Sequence, residues 1–421
     1  MDEIMLSIGV IGTDLNPPLN EGIKNTVHEI YGRMARKGVE VLLITKGWSR
    51  EEQSTCLNDM GLTEYGGLKI CSIPVVKQHS AYSHLTSVPS FITMLPLYLK
   101  SIYARLPIDI FHIHTSFAAL NSLIAFQIKS LFEFRSSKIV ITQYSSTCNP
   151  YVFGKFDFKS LIVPLLSSHV SLEYTPADLI ITLSKRVRNA LERRFVRRVI
   201  WFPHIAIDTE KFKPDKKCKD RIRDEFSIDD ETIVLLYAGD LTPTRGIEFF
   251  ISVIKHVIRS YRYPIKGLIP LKDISTRPDK YNYIMDLLRS NGIDRHVKIL
   301  GYREDISCVI NSSDIVLMPL RKNYGFMDLP RFLLEAMSCG KPVVTTTVGA
   351  IAESLNSWVN IVLCEPDNLK CFISSVRNLI ENHTLRNEIG MNARRTILEV
   401  YNAEKVSDRL HRIYNMLLME K

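Results

Sequence analysis

Four groups of residues in this chain have the types and spacing to do chemistry. The first lies in the stretch Met327–Thr347, MDLPRFLLEAMSCGKPVVTTT. Leu333, Leu334, Ala336 and Met337 give it an apolar helical face, with Asp328 placed to act as N-cap. Gly340 and Pro342 then stop the helix before the apolar pair Val343–Val344. Glu335 is the only charge in the helix body, and a carboxylate just ahead of a buried strand is a candidate ligand-holding group. The second group is Arg245, within Tyr237–Gly246, whose planar guanidinium suits phosphate oxygens. Arg331, in the first turn of the Glu335 helix, is the third; helix starts already attract anions through their free N–H groups, and an arginine adds a full charge. The fourth is the pair His112 and His114, which strand alternation puts on one face at the loop end of Asp109–His114. Two histidines raise the question of a metal, but the sequence offers no evident third ligand. Plain structural roles stand beside each: a solvated helix-start residue for Arg245, a surface arginine for Arg331, a helix cap for Asp328.

Elements that must position these groups follow a repeated pattern. Short apolar strands are expected at 4–12, 39–45, 70–76, 108–114, 139–143 and 179–183, with an amphipathic helix at 23–37. A second series is expected at 233–238, 265–269, 297–301, 315–318, 343–346 and 361–364. Strands alternating with helices predict an α/β architecture of two doubly wound, mostly parallel sheets. Between the series lies Pro203–Pro214, then a charged stretch without a strand, which puts the junction near 202–212. The apolar period of Val406, Leu410, Ile413, Tyr414 and Leu417 predicts a final helix over 403–418. Ligands of such sheets sit beyond the carboxyl ends of the strands, so the loops there are where the site belongs.

At 421 residues the chain exceeds one ordinary core, and 46% hydrophobic with 24% charged residues is a globular composition. A net charge of +9 favours anionic partners. The eight cysteines (56, 71, 148, 218, 308, 339, 364, 371) show no metal-ligand spacing and are expected to be reduced thiols. Met1–Glu3 lacks the basic start of a signal peptide, and the longest uncharged run, between Lys77 and Lys100, holds Pro89 and Pro96. A cytoplasmic protein is the expectation. The basic run Lys185–Arg198 carries seven cations against Glu192. It reads as a solvated surface helix or as a peripheral dock at the inner face of a membrane. No motif accompanies it that would read nucleic acid.

Several segments, in order, resemble the family 4 glycosyltransferases of the GT-B superfamily. They are Ala177–Ser184, Ala206–Phe212, Ser313–Pro319, and Glu335 followed by Ala336, Met337, Gly340, Pro342 and Val343. The resemblance extends over nearly the whole chain. It implies a GT-B fold: an acceptor-binding Rossmann-like domain over 1–203, a donor-binding one over 204–400, a cleft between them, and a C-terminal helix, 401–421, returning to the first domain. It also implies a retaining transferase, moving a sugar from a nucleotide-diphosphate-sugar to an acceptor hydroxyl on a sugar or lipid carrier in glycan biosynthesis. No cofactor and no metal are expected.

In that resemblance Glu335 matches the glutamate that accepts hydrogen bonds from the ribose hydroxyls, a task for an acceptor-only group. Arg245 takes the place of a lysine that grips the diphosphate, and His114 that of a histidine at the reacting sugar, with His112 beside it on the acceptor side. Gly22 matches a glycine that lets backbone amides approach substrate. Gly349 heads a loop whose backbone contacts the donor, and Glu353 follows it. Catalytic roles thus fall to His114, Arg245 and Glu335, and donor contacts to Gly22, Arg245, Asp328, Arg331, Glu335 and Gly349. Two positions depart from the family. Met327 stands where a first glutamate belongs, and Asp240 where an arginine belongs; Arg331 is the residue that could replace that arginine, and Asp328 could reach the donor sugar. The departures leave open a catalytically weak or inactive relative that serves as a nucleotide-binding or complex subunit. Another GT-B chemistry, epimerisation or phosphorolysis, is a second alternative.

Overall fold

The structure, a computed structural model, describes residues 6–19, 21–47, 62–75, 83–115, 118–132, 136–145, 172, 174–193, 198–260, 263–272, 274, 277–322 and 327–420. Asn20, Val76, Cys56, Cys148, Met1–Glu3 and residues 194–197 of the basic run lie outside these. The chain divides into two compact units, one made of residues 1–206 with 403–421 and the other of residues 207–402.

The first unit is built on an eight-stranded sheet: β1 (Ser7–Ile11), β2 (Glu40–Gly47), β3 (Thr63–Tyr65), β4 (Leu68–Pro74), β5 (Ile110–Ile113), β6 (Lys138–Gln143), β7 (Leu179–Thr182) and β8 (Arg198–Trp201). The strand order is β3-β4-β2-β1-β5-β6-β7-β8, parallel throughout except for the β3–β4 pair. β1 and β5 are buried along their whole length, the signature of a central parallel strand covered on both faces. On one face the helix Gly22–Arg36 and the last helix, Ala403–Met419, join one core through Val27, Ile30, Tyr31 and Met34 against Val406, Leu410, Tyr414 and Leu417. Lys37 adds ion pairs to Glu404 and Asp408 at the surface between them.

The second unit holds six parallel strands: β9 (Ile233–Tyr237), β10 (Ile265–Pro270), β11 (Val297–Leu300), β12 (Ile315–Met318), β13 (Val343–Thr346) and β14 (Val362–Cys364). Their order is β11-β10-β9-β12-β13-β14. Each unit therefore has a point where the winding reverses, between β1 and β5 in the first and between β9 and β12 in the second. The crevice outside the carboxyl ends at such a point is where doubly wound folds take ligands.

Several expectations need correction. β3 and β8 were not foreseen: β3 is three exposed residues, too short for a period to show. β8 begins at Arg198, so the basic run is not one helix; its helical part is Lys185–Glu192, capped by Ser184 Oγ on the Val187 N–H at 3.2 Å. Nor are all the cysteines thiols. Cys218 is joined to Cys308 and Cys364 to Cys371, while Cys339 is free and buried. Burial and apolar neighbours suggested inert thiols, but sequence spacing says nothing about which side chains the fold brings face to face. Among the described residues no helix is long and apolar enough to cross a membrane.

Candidate active site

In the first unit, β5 delivers His112, and His114 follows at its carboxyl end beside β1. Both are buried, at 0% and 2% exposure, which a solvent-facing acceptor site would not require. Their nitrogens are held by hydroxyls. The Tyr31 hydroxyl lies 2.7 Å from His112 Nδ1, 2.9 Å from His114 Nε2 and 2.7 Å from the Tyr414 hydroxyl. His114 Nδ1 meets the Tyr144 hydroxyl at 2.9 Å. Thr142 Oγ1 bridges His112 Nε2 at 2.8 Å and His204 Nδ1 at 2.7 Å. Burial, and then the neighbouring imidazoles, hold His112 and His114 well below the usual histidine range, and burial alone pulls His204 down to about 3. Burial likewise raises the phenols of Tyr31, Tyr144 and Tyr414. The cluster is thus neutral at pH 7: a set of oriented dipoles rather than charges.

His204, Tyr31, Thr142 and Tyr414 were not singled out from the sequence. Only Tyr414 left a trace, in the apolar period of the last helix. His204 lies just past β8, a strand the sequence does not announce. It supplies the third histidine that the pair seemed to lack. Ligand nitrogens of His112, His114 and His204 lie within 4.8 Å of one another, a set able to hold a metal ion by count. Hydroxyls already engage these rings: Tyr31 lies on His112 Nδ1 and His114 Nε2, and Thr142 on His112 Nε2 and His204 Nδ1. His204 Nε2 is buried with no hydrogen-bond partner. Gly22 is the first residue of the helix Gly22–Arg36; Glu21 precedes it in extended conformation and makes no side-chain cap.

In the second unit the loops after β9 and β12 meet at the switch point. The Arg321 N–H donates to Thr244 O at 2.9 Å. Gly246, at φ 69°, brings its α-carbon so close to Pro319 that a Cβ would lie 2.3 Å from the carbonyl oxygen, so only glycine lets these loops meet. Arg245 ends a short 3-10 turn, Pro243–Arg245, and its Nε lies 3.5 Å from Asp240 Oδ2. Burial lowers the Arg245 pKa, against the Asp240 charge. Asp240, more than half exposed, turns its other oxygen back on its own loop, accepting from the Thr242 N–H at 2.8 Å and the Thr242 hydroxyl at 2.5 Å. That Asx turn explains how an acid is tolerated in a basic residue's place: it shapes the loop and pairs with Arg245.

Beyond β12, Arg331–Ser338 forms the helix carrying Glu335. Its N-cap is Pro330, with no side-chain cap, so Asp328 is not the cap the sequence suggested. Pro330, in extended conformation and favoured at a helix start, takes the place two residues later. Asp328 is buried at 1%, and its carbonyl receives the Ala350 N–H at 2.9 Å. Gly349, at φ 72°, closes on the same carbonyl; a Cβ would lie 2.4 Å from it. Asp328, Gly349 and the Glu335 helix are thereby brought together. Met327 is also buried, an apolar group where the family pattern has a carboxylate.

Arg331 Nε donates to Glu335 Oε1 at 2.8 Å, with side-chain exposures of 6% and 10%. A cation in the first turn with its anion four residues later is the reverse of what the helix dipole favours. A pair that breaks a local rule at low exposure marks a site where something other than helix stability set the residues. Arg331, expected to face a diphosphate, is a partner of Glu335.

Two doubly wound sheets, each with its own switch point, define a fold of two Rossmann-like units. Comparison with known proteins names its family. Residues 20–211 match the family described as Glycosyltransferase Family 4, and residues 232–382 that described as Glycosyl transferases group 1. The chain belongs to the family 4 glycosyltransferases and has the GT-B fold. It is 26% identical over 414 residues to the phosphatidylinositol N-acetylglucosaminyltransferase gpi3 subunit of Schizosaccharomyces pombe, covering 96% of this chain and 79% of that one. To the N-acetyl-alpha-D-glucosaminyl L-malate synthase of Bacillus anthracis it is 21% identical over 414 residues, covering 98% and 94%. With other curated relatives it shares only about half their length, 49% and 54% in two cases. Among solved structures, Anabaena HepE in complex with UDP-glucose superposes with a TM-score of 0.71 at 15% identity, covering 98% of this chain and 100% of that one.

Proposed function

We propose that the protein transfers a hexose or N-acetylhexosamine from a UDP-sugar to an acceptor hydroxyl, with retention of anomeric configuration. The observation that carries this is the second-unit switch point. There Arg245, on the loop after β9, and Glu335, on the helix after β12, occupy the elements that a doubly wound fold turns toward a nucleotide. Glu335 accepts the ribose hydroxyls, and Arg245 stabilises the diphosphate as its bond to the sugar breaks. Gly22 and Gly349 let backbone amides approach the donor, and Asp328 lies beside the same loop. His114 is neutral, and both its ring nitrogens are engaged by Tyr31 and Tyr144. In this reading it acts on the reacting sugar through the field of that network and not by a hydrogen bond of its own, while His112 fixes its neighbour through the shared Tyr31 hydroxyl. No metal is called for in this account. Two relatives spanning nearly the whole chain carry an N-acetylglucosaminyl group in their names, and a fold neighbour holds UDP-glucose, which makes UDP-N-acetylglucosamine the first donor to test. The acceptor is a sugar or lipid-linked hydroxyl, and Lys185–Glu192, basic and partly exposed, is the surface through which a lipid-bearing acceptor would be approached.

The test is a thermal-shift screen against UDP-, GDP- and ADP-sugars, followed by NMR of the product's anomeric proton. Stabilisation by a UDP-sugar and an unchanged anomeric form support the reading. Stabilisation by another nucleotide alone, or inversion, contradicts it. A second reading, a binding subunit without turnover, is favoured by buried Met327 and by the Asp240 carboxylate beside Arg245. It predicts nucleotide binding with no product from any donor.

A further inference from the structure

The second unit has a cavity of about 640 Å³ at the opposite edge of its sheet from the proposed donor site. Gly340 and Lys341, on its wall, precede the amino end of β13, whereas Arg245 and Glu335 follow the carboxyl ends of β9 and β12. Five cations line it: Lys216, Lys219, Lys341, Arg394 and Arg395. Asp215 is the one acid among the lining residues, and its Oδ1 is taken by the Cys218 N–H as the cap of the helix Lys216–Glu225. The first turn of that helix holds no acidic residue and three lysines, the wrong sign for the positive end of a helix dipole. A sequence that stacks cations on a helix N-terminus gives up local stability, and the field it creates is directed at an anion.

Two of these cations, Lys341 and Arg394, are held in place by backbone carbonyls, while Lys216 is exposed and Lys219 half-buried. Lys341 Nζ donates to the carbonyls of Asn311 and Ser313, each at 2.8 Å, which leaves one of its three donors. Burial foremost, and then Lys219 and Arg223 against the opposing Asp314 carboxylate, bring its pKa down to about 8; a bound anion would relieve that cost. Arg394 is fixed by the carbonyls of Phe212 at 3.1 Å and Ser338 at 2.5 Å. Burial pushes the Cys339 thiol up to about 12, so the cavity wall adds no thiolate. Met391 and Leu398, 67% and 37% exposed, give the rim an apolar side.

We propose that this cavity is a second ligand site that binds a small phosphorylated molecule, its phosphate among Lys216, Lys219 and Lys341 and its body against Met391 and Leu398. The volume suits a sugar phosphate rather than a macromolecule. The site also touches the donor side indirectly. The helix Arg331–Ser338 carries Glu335 in its middle, and its last carbonyl, Ser338, three residues on, is held by the cavity's Arg394.

The test is calorimetric titration of the full chain with glucose 6-phosphate and with inorganic phosphate at constant ionic strength, and of phosphatidic acid vesicles as a separate arm. Each is run on the wild type, on Lys216→Gln/Lys219→Gln and on Arg245→Gln. Saturable binding of glucose 6-phosphate that weakens about tenfold or more in the double lysine variant, and is unchanged in Arg245→Gln, supports the site. UDP affinity unchanged in the lysine variant separates this result from the fate of the donor site. No saturable binding, equal binding in wild type and lysine variant, or loss in Arg245→Gln alone overturns it. Binding to the vesicles without binding to either soluble phosphate also overturns it, in favour of a membrane surface.

Discussion

The two units handle charge in opposite ways at their candidate sites. In the first unit His112, His114 and His204 are stripped of charge by burial and oriented by Tyr31, Tyr144, Tyr414 and Thr142. In the second unit formal charges are kept and paired at low exposure or at a loop: Arg331 with Glu335, and Arg245 with Asp240. A neutral, preorganised set of dipoles suits a reacting sugar, where charge appears only transiently. Permanent charges suit a diphosphate, which arrives charged and must be released. Under the proposed function, the difference places donor affinity in the second unit and turnover in the first.

That contrast can be broken at several points. The largest effect is expected at Glu335. Glu335→Ala takes the carboxylate from beside the buried Arg331 guanidinium, and urea unfolding should show a loss of about 3–5 kcal/mol; a loss below about 1 kcal/mol would mean that the pair contributes little to stability. The next concerns the imidazole cluster. Its histidines have folded pKa values below that of an unfolded histidine, so the stability they contribute is present above about pH 6.5. It is lost as the pH falls from there toward about 3, the value for His204. Stability should fall by about 1.4 kcal/mol per pH unit for each histidine involved. The slope below pH 6 should shrink in His204→Gln; an unchanged slope would place the proton uptake elsewhere. Arg331→Lys keeps the charge but loses the fork, and should weaken UDP-sugar binding several-fold while sparing kcat; wild-type affinity would remove Arg331 from the donor site. The smallest effect belongs to Asp240→Asn. Asp240 is more than half exposed, so stability should change by less than about 1 kcal/mol, while UDP-sugar affinity rises as a carboxylate leaves the neighbourhood of the diphosphate. A fall in affinity would show that the Asx turn matters more than the charge.

The sequence made parts of this legible and hid others for physical reasons. Strands β9, β12 and β13 and the Glu335 helix could be read because buried parallel strands are continuous apolar runs and Gly340–Pro342 stops the helix chemically. The pairing of Arg331 with Glu335 was in principle visible, as a spacing of four residues, yet each residue was read alone. Asp328 misled because Asp is a strong cap in general, whereas here Pro330 starts the helix. The histidine cluster was half visible: His112 and His114 by alternation along one strand, but His204, Tyr31 and Tyr414 only once the fold joins segments 62 to 383 residues apart. The Cys218–Cys308 disulfide, across 90 residues, was hidden for the same reason, whereas Cys364–Cys371 spans only 7.

The division of labour is tested most directly by UDP titration calorimetry alongside turnover of UDP-N-acetylglucosamine in Arg245→Gln and His114→Ala. The account predicts that Arg245→Gln loses UDP affinity by about tenfold or more. It predicts that His114→Ala binds UDP as the wild type does and loses turnover. Wild-type UDP affinity in Arg245→Gln, or UDP affinity lost in His114→Ala with the fold intact, would contradict it.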